Sequence, residues 1–115
     1  MSDKAAFRRQ DIISIYGERP RCPITGLWQF VDPAHILGRG GKYQRKAHSS
    51  ILNYIPLCRE IHAGAYRDSN EMRHLFLRIA LKNFNEAIRD GRYTIRPEDE
   101  EFRKISDDFI NNNPY

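Results

Sequence analysis

Three side chains of complementary chemistry, His35, Asn53 and His62, follow one another in the middle of the chain. A neutral imidazole can take a proton from water near pH 7, and a second imidazole can bind a divalent metal ion. A carboxamide can lock the local geometry through hydrogen bonds. Together these groups provide what hydrolysis of a phosphodiester requires, namely an activated water and positive charge beside the phosphate. We therefore predict that these three residues form a catalytic site.

The segment around the first two of these residues is basic. From Pro33 to Arg59 there is no Asp or Glu. Glycine at positions 38, 40 and 41 would let this segment pass close to a duplex. Basic side chains on such a loop contact backbone phosphates, with an affinity that falls as salt rises. The predicted nucleic-acid-binding residues are Arg39, Lys42, Arg45 and Lys46.

Length and composition agree with a soluble, single-domain nucleic-acid enzyme. The chain has 115 residues and a net charge of +4. Residues 1–60 contain ten Lys and Arg against five Asp and Glu, whereas residues 61–115 contain nine against ten. The positive charge thus belongs to the half that carries the three candidate residues. No apolar run is long enough to span a membrane, and residues 2–9 lack the apolar stretch of a signal peptide, so we predict a cytoplasmic protein with no membrane partner.

The candidate residues fall on a predicted strand–loop–strand–helix unit. A helix is predicted over residues 3–16, with Gly17 as its stop. Aromatic and β-branched content predicts a strand over 27–31 that continues toward His35, with Pro33 limiting its pairing. Residues 38–50 are predicted as a loop and 51–57 as a second strand, interrupted by Pro56. A short helix is predicted to begin near Cys58 and to carry the second histidine.

Two helices are predicted to complete the domain. Apolar residues recur at steps of three and four over 70–89. A last helix is predicted to open at Pro97, and four acids follow it in the first turn, where the helix dipole favours them. Its apolar stripe comprises Phe102, Ile105, Phe109 and Ile110.

Two short segments resemble those of the HNH endonucleases, which belong to the ββα-metal (His-Me finger) nucleases, phage or bacterial type. Cys22-Pro23-Ile24-Thr25-Gly26 is similar to the opening knuckle of one subgroup, and Asp32-Pro33-Ala34-His35-Ile36 is similar to the segment that follows it. The family spacing also places an asparagine five residues before Cys58 and a histidine four residues after it. The resemblance covers residues 21–66.

The resemblance implies an α+β fold in which a ββα-metal motif is flanked by an N-terminal helix and two C-terminal helices. Residues 1–115 would form a single nuclease domain, with helical elaboration at 1–17 and 69–111. The implied activity is metal-dependent endonucleolytic cleavage or nicking of DNA, with double-stranded DNA as the expected partner. His35 would be the general base, and His62 would bind one Mg²⁺ or Mn²⁺ with Asp32, although imidazole also accepts Zn²⁺ or Ni²⁺. Asn53 would either hold the loop and the His35 ring or bind the metal.

Two departures from the family pattern leave alternatives open. Many members carry an acid or a histidine immediately before the base, where this chain has Ala34. Many also hold a structural zinc with two Cys-x-x-Cys knuckles, but Thr25 and Ile61 occupy the partner positions here, so no structural zinc is expected. No organic cofactor is expected either. The first alternative function is an HNH-fold nucleic-acid-binding module without catalysis, and the second is a helical protein–protein adaptor.

Overall fold

The computed structural model describes residues 2–28, 31–37, 47, 49–63 and 69–113, with the side chains of residues 2–8 and 63 left aside. Helix α1 comes first and is followed by two strands, β1 and β2. The short helix α2 comes directly after β2, and the long helices α3 and α4 complete the chain. Their bounds are α1 Ser2–Tyr16, β1 Val31–His35, β2 Tyr54–Cys58, α2 Arg59–Ala63, α3 Asn70–Arg89 and α4 Pro97–Asn112.

The two strands form an antiparallel pair in which two prolines face each other. Val31 pairs with Cys58 at one end and His35 with Tyr54 at the other, and the central pair is Pro33 with Pro56. Because neither proline has an N–H, this central pair must be a non-hydrogen-bonded one. The backbone hydrogen bonds between the strands are then made by the residue pairs on either side of it. Proline is therefore compatible with pairing here, whereas we had predicted that it would limit or interrupt both strands.

Both predicted strands start too early. β1 begins at Val31, while Leu27 and Trp28, predicted to lie in the strand, are irregular and exposed. The segment Ile51–Asn53 is a single 3₁₀ turn that precedes β2. The Ser50 hydroxyl caps this turn by accepting a hydrogen bond from the Leu52 N–H at 3.1 Å. Side-chain capping of this kind competes with strand formation, and propensity alone does not detect it.

The predicted C-terminal helices are confirmed. α3 runs from Asn70 to Arg89, with the Ser69 side chain capping its first turn, and α4 opens at Pro97. Their apolar faces meet the 3₁₀ turn and β2 around a common core. Leu75 belongs to the same apolar repeat of α3 but does not join this core, because it is 40% exposed. The largest aromatic side chains of this core are Phe76, Phe84 and Phe102.

Helix α1 packs across the hairpin and against α3. It buries Ile12 and Ile15, whereas Ile13 is only partly buried. The described part of the chain thus forms a small α+β domain of four helices around a two-stranded antiparallel sheet, in the predicted order. None of its helices combines the length and the apolar character that crossing a bilayer requires.

Candidate active site

His35 is the last residue of β1 and lies against the first residue of β2. Its ring packs on that of Tyr54 with the centroids 4.4 Å apart and the planes tilted by 44°. Tyr54 is almost completely buried, while His35 is only partly buried. A buried aromatic ring therefore supports the imidazole from one side, and solvent still reaches part of it.

The Asn53 side chain clamps the backbone immediately after His35. Its Oδ1 accepts a hydrogen bond from the Leu37 N–H at 2.8 Å, and its Nδ2 donates to the Leu37 carbonyl at 3.1 Å. The Asn53 carbonyl also accepts from the Ile36 N–H at 2.8 Å. Asn53 is fully buried. Of the two roles that the sequence left open, this geometry suits the one in which asparagine holds the loop, because both polar atoms of the amide already bind the backbone.

A second layer of polar contacts positions the 3₁₀ turn that carries Asn53. The Ser50 hydroxyl, which caps this turn, donates a hydrogen bond to Asp99 Oδ1 at 2.6 Å. The other oxygen of Asp99 accepts from the Tyr93 hydroxyl at 2.8 Å and from the Arg96 N–H at 3.0 Å. Because Asp99 is fully buried, these three donors together stabilise its carboxylate. The first turn of α4 thereby braces the segment that clamps the candidate base.

The same network reaches α1 through a bidentate ion pair. Two guanidinium nitrogens of Arg96 lie 2.7 and 3.1 Å from the carboxylate oxygens of Asp11. The hydrogen bond with Asp11 raises the pKa of Arg96. Burial and the hydrogen bond to the Asp99 carboxylate raise the pKa of Tyr93 well above its ordinary value. None of the five residues of this network is predicted from the sequence. Its only visible signal is the acid two positions after Pro97, which the sequence pattern assigns to the helix dipole.

His62 lies on α2, which begins where Val31 pairs with Cys58. His35 occupies the opposite end of the same hairpin. Helix α2 packs against both strands, so His62 stays beside the hairpin that carries His35. Its side chain is partly buried.

Asp32, the second predicted metal ligand, forms an ion pair within the hairpin region. Its Oδ2 lies 3.5 Å from Nε of Arg59, the first residue of α2, and its side chain is 40% exposed. Such an exposed ion pair is weak, so the Asp32 carboxylate can leave Arg59 and bind another cation. Ala34, on the same face of the strand as Asp32, is buried and supplies no ligand atom.

The donor set offers a partial fit to a hard divalent cation. His62 and Asp32 supply an imidazole and a carboxylate, which suit Mg²⁺ or Mn²⁺ together with water. Asn53 does not fit as a ligand, because its amide is bound to Leu37. Within the described ranges, no three His, Cys, Asp or Glu side chains converge as a ready ligand cluster.

The predicted knuckle forms a closed turn beside the hairpin. The Cys22 N–H donates to the Leu27 carbonyl and the Gly26 N–H to the Cys22 carbonyl, both at 2.8 Å, and Gly26 adopts the positive φ of 75° that this turn requires. The Thr25 hydroxyl lies 3.8 Å from the Cys58 sulfur. Cys22 and Cys58 are both buried free thiols.

Hydrogen bonding within the knuckle favours the thiolate of Cys22. Burial raises the pKa of this thiol, but hydrogen bonds from the backbone of Cys58, Thr25 and Ile24 and from the Thr25 hydroxyl outweigh it, so that the net shift is downward. The Thr25 hydroxyl thus contacts both sulfurs, lying 3.8 Å from that of Cys58 and forming a hydrogen bond with that of Cys22.

The predicted phosphate-binding residues cannot be compared with the structure. Arg39, Lys42, Arg45 and Lys46 lie outside the described residues, as do the three glycines of the same loop.

Comparisons with protein-family models, with curated proteins and with solved structures gave no match. The HNH resemblance consequently depends on the motif residues in the sequence.

Proposed function

We propose that this chain is a metal-dependent endonuclease of the HNH type that hydrolyses phosphodiester bonds in DNA. The observation that carries the proposal is the clamp between Asn53 and Leu37, which fixes the backbone directly after His35. Both polar atoms of this buried asparagine bind the segment that follows a partly exposed histidine, and a fixed backbone at that point favours the fixed position that a general base requires.

In this proposal His35 takes the proton of the attacking water. The contact with Tyr54 and the clamped backbone limit the motion of the imidazole, which reduces the entropy lost on reaching the transition state. His62, with Asp32 and water, would hold one Mg²⁺ or Mn²⁺. When bound, such an ion supplies positive charge beside the phosphate and the leaving oxygen.

The basic residues of the loop favour a nucleic acid as the substrate. Arg39, Lys42, Arg45 and Lys46 would bind backbone phosphates of duplex DNA, with little dependence on sequence. Their separation from the acid-rich second half of the chain favours a polyanion over a neutral substrate.

A non-catalytic nucleic-acid-binding module is the second candidate. It is favoured by buried Ala34, which occupies the position before the base without offering a ligand. The adaptor alternative has less support, because the apolar faces of α3 and α4 are buried in the domain's own core through Phe76, Phe84 and Phe102.

Supercoiled plasmid incubated with Mg²⁺ or Mn²⁺ tests the proposal. We expect nicked or linear product that is abolished by EDTA, and DNA binding that weakens as salt rises. DNA binding that survives EDTA, with no cleavage under any divalent ion, would support the binding module instead. An absence of salt-sensitive binding would support the adaptor.

A further inference from the structure

A cleft of about 700 Å³ lies between α1 and the hairpin, away from the clamp described above. Its walls include three arginines, three prolines and the only tryptophan of the chain. We define this hairpin cleft by the residues that argue for its ligand, which are Arg9, Arg19, Trp28, Pro33, Pro56 and Arg59.

Trp28 gives the hairpin cleft an aromatic surface that solvent can reach. The residue lies in the irregular segment before β1, and 42% of it is exposed. The Arg19 guanidinium lies 4.9 Å from the centre of its ring, and the indole keeps its open surface in spite of this contact. An indole with a stacked guanidinium is a surface on which a nucleobase can also stack.

The charges of the hairpin cleft suit a phosphate chain. Arg9, Arg19 and Arg59 outnumber Glu18 and Asp32 among the lining residues, and Arg9 and Arg19 are exposed. Guanidinium groups bind phosphate oxygens in a bidentate manner. A ligand that combines an aromatic base with a phosphate therefore matches the lining better than an acidic peptide, which would use the arginines alone.

We propose that the hairpin cleft binds an unpaired nucleotide of a single nucleic-acid strand, with its base on Trp28 and its phosphates on the arginines. This inference extends the proposed nuclease function, since it names a second contact for the same class of substrate. Pro33 lines the cleft, and His35 projects from the same face of β1 two residues later. A strand held in the cleft would thus lead toward the candidate base.

Binding is tested in EDTA with an oligothymidylate of about eight nucleotides, a duplex of the same length and an oligoglutamate as probes. Because Trp28 is the only tryptophan, its fluorescence reports on the hairpin cleft directly. We expect saturable quenching by the single strand, and weaker quenching by the duplex and by oligoglutamate. Equal quenching by the duplex or by oligoglutamate would overturn the assignment, as would an absence of quenching by the single strand.

Two variants test whether the single strand binds in the hairpin cleft. With a labelled oligothymidylate read by anisotropy, Trp28→Leu should lower the affinity about 10-fold. The matched control is Leu27→Ala, which removes a neighbouring apolar side chain that is 56% exposed and does not line the cleft. Equal losses in both variants would contradict the proposal. Quenching without metal-dependent nicking would refute only the nuclease, and nicking without quenching would refute only the nucleotide site.

Discussion

The side chain of Asn53 and the backbone of Leu37 form a closed pair of hydrogen bonds, in which the amide both accepts from the Leu37 N–H and donates to its carbonyl. The two residues are 16 positions apart, and the pair joins the start of β2 to the segment that leaves β1. His35 lies two residues before Leu37. The position of the candidate base is thus tied to the second strand as well as to its own.

Asn53→Ala should reduce both stability and activity. The change leaves the N–H and the carbonyl of Leu37 buried without this partner, so we expect the free energy of unfolding to fall by about 2–4 kcal/mol. Displacement of His35 should lower the rate of plasmid nicking by about 100-fold. Denaturant unfolding and a nicking assay measure the two effects. The control is Asn83→Ala, which removes an amide that donates to the Ile79 carbonyl within α3 at 2.8 Å. Similar losses in both variants would contradict the clamp's role.

If the Asp32 carboxylate is a metal ligand, Asp32→Ala should weaken Mn²⁺ binding, and His62→Ala should do the same. Arg59→Ala should have the opposite effect, because it releases the carboxylate from its ion pair. The gain is at most about 5-fold, given the small energy of an exposed pair. Calorimetric titration with Mn²⁺ measures these affinities, with the exposed Arg78→Ala as a control for net charge. Unchanged affinity in Asp32→Ala would remove this residue from the ligand set.

Thr25→Cys combined with Ile61→Cys should create a structural zinc site. Thr25 already lies next to the Cys58 sulfur, and hydrogen bonds link Cys22 to both segments. Four thiolates would then be available to a tetrahedral ion. We expect one Zn²⁺ per chain by elemental analysis and a Tm higher by about 5 °C or more with zinc than without. The single variant Thr25→Cys should bind zinc more weakly, and a double variant that retains no zinc would show that the knuckle is not preserved.

The stability of the domain should fall as pH rises above about 10, the ordinary pKa of tyrosine. The pKa of Tyr93 is raised in the folded state, so the unfolded chain loses this proton first and unfolding is favoured at high pH. One such group contributes a slope of up to about 1.4 kcal/mol per pH unit. Denaturant unfolding between neutral and alkaline pH measures the slope. Tyr93→Phe should be less stable at neutral pH but should show a shallower alkaline slope; an unchanged slope would contradict this role.

The elements of the fold follow from local patterns that the sequence displays. The bounds of α3 match its apolar repeat, and Pro97 marks the start of α4, because periodicity and fixed φ act within one helix. The two candidate histidines also lie on elements that local patterns predict, His35 at the end of the first strand and His62 on the short helix.

The parts that could not be predicted depend on contacts between distant segments. The bond between Ser50 and Asp99 joins residues 49 positions apart, and no local pattern indicates it. Pro33 and Pro56 appeared to limit their strands, but opposite each other they need no ladder hydrogen bond. The exposure of Trp28 follows from the late start of β1, which aromatic content alone did not predict.

The central claim is that His35 activates water beside an ion held by His62. Its most direct test is the nicking rate of supercoiled plasmid in Mn²⁺, measured for the wild type, His35→Ala and His62→Ala together with their Mn²⁺ affinities. We predict that His35→Ala loses about 100-fold or more in rate while keeping its metal affinity, and that His62→Ala loses both. Nicking by His35→Ala at the wild-type rate would contradict the account.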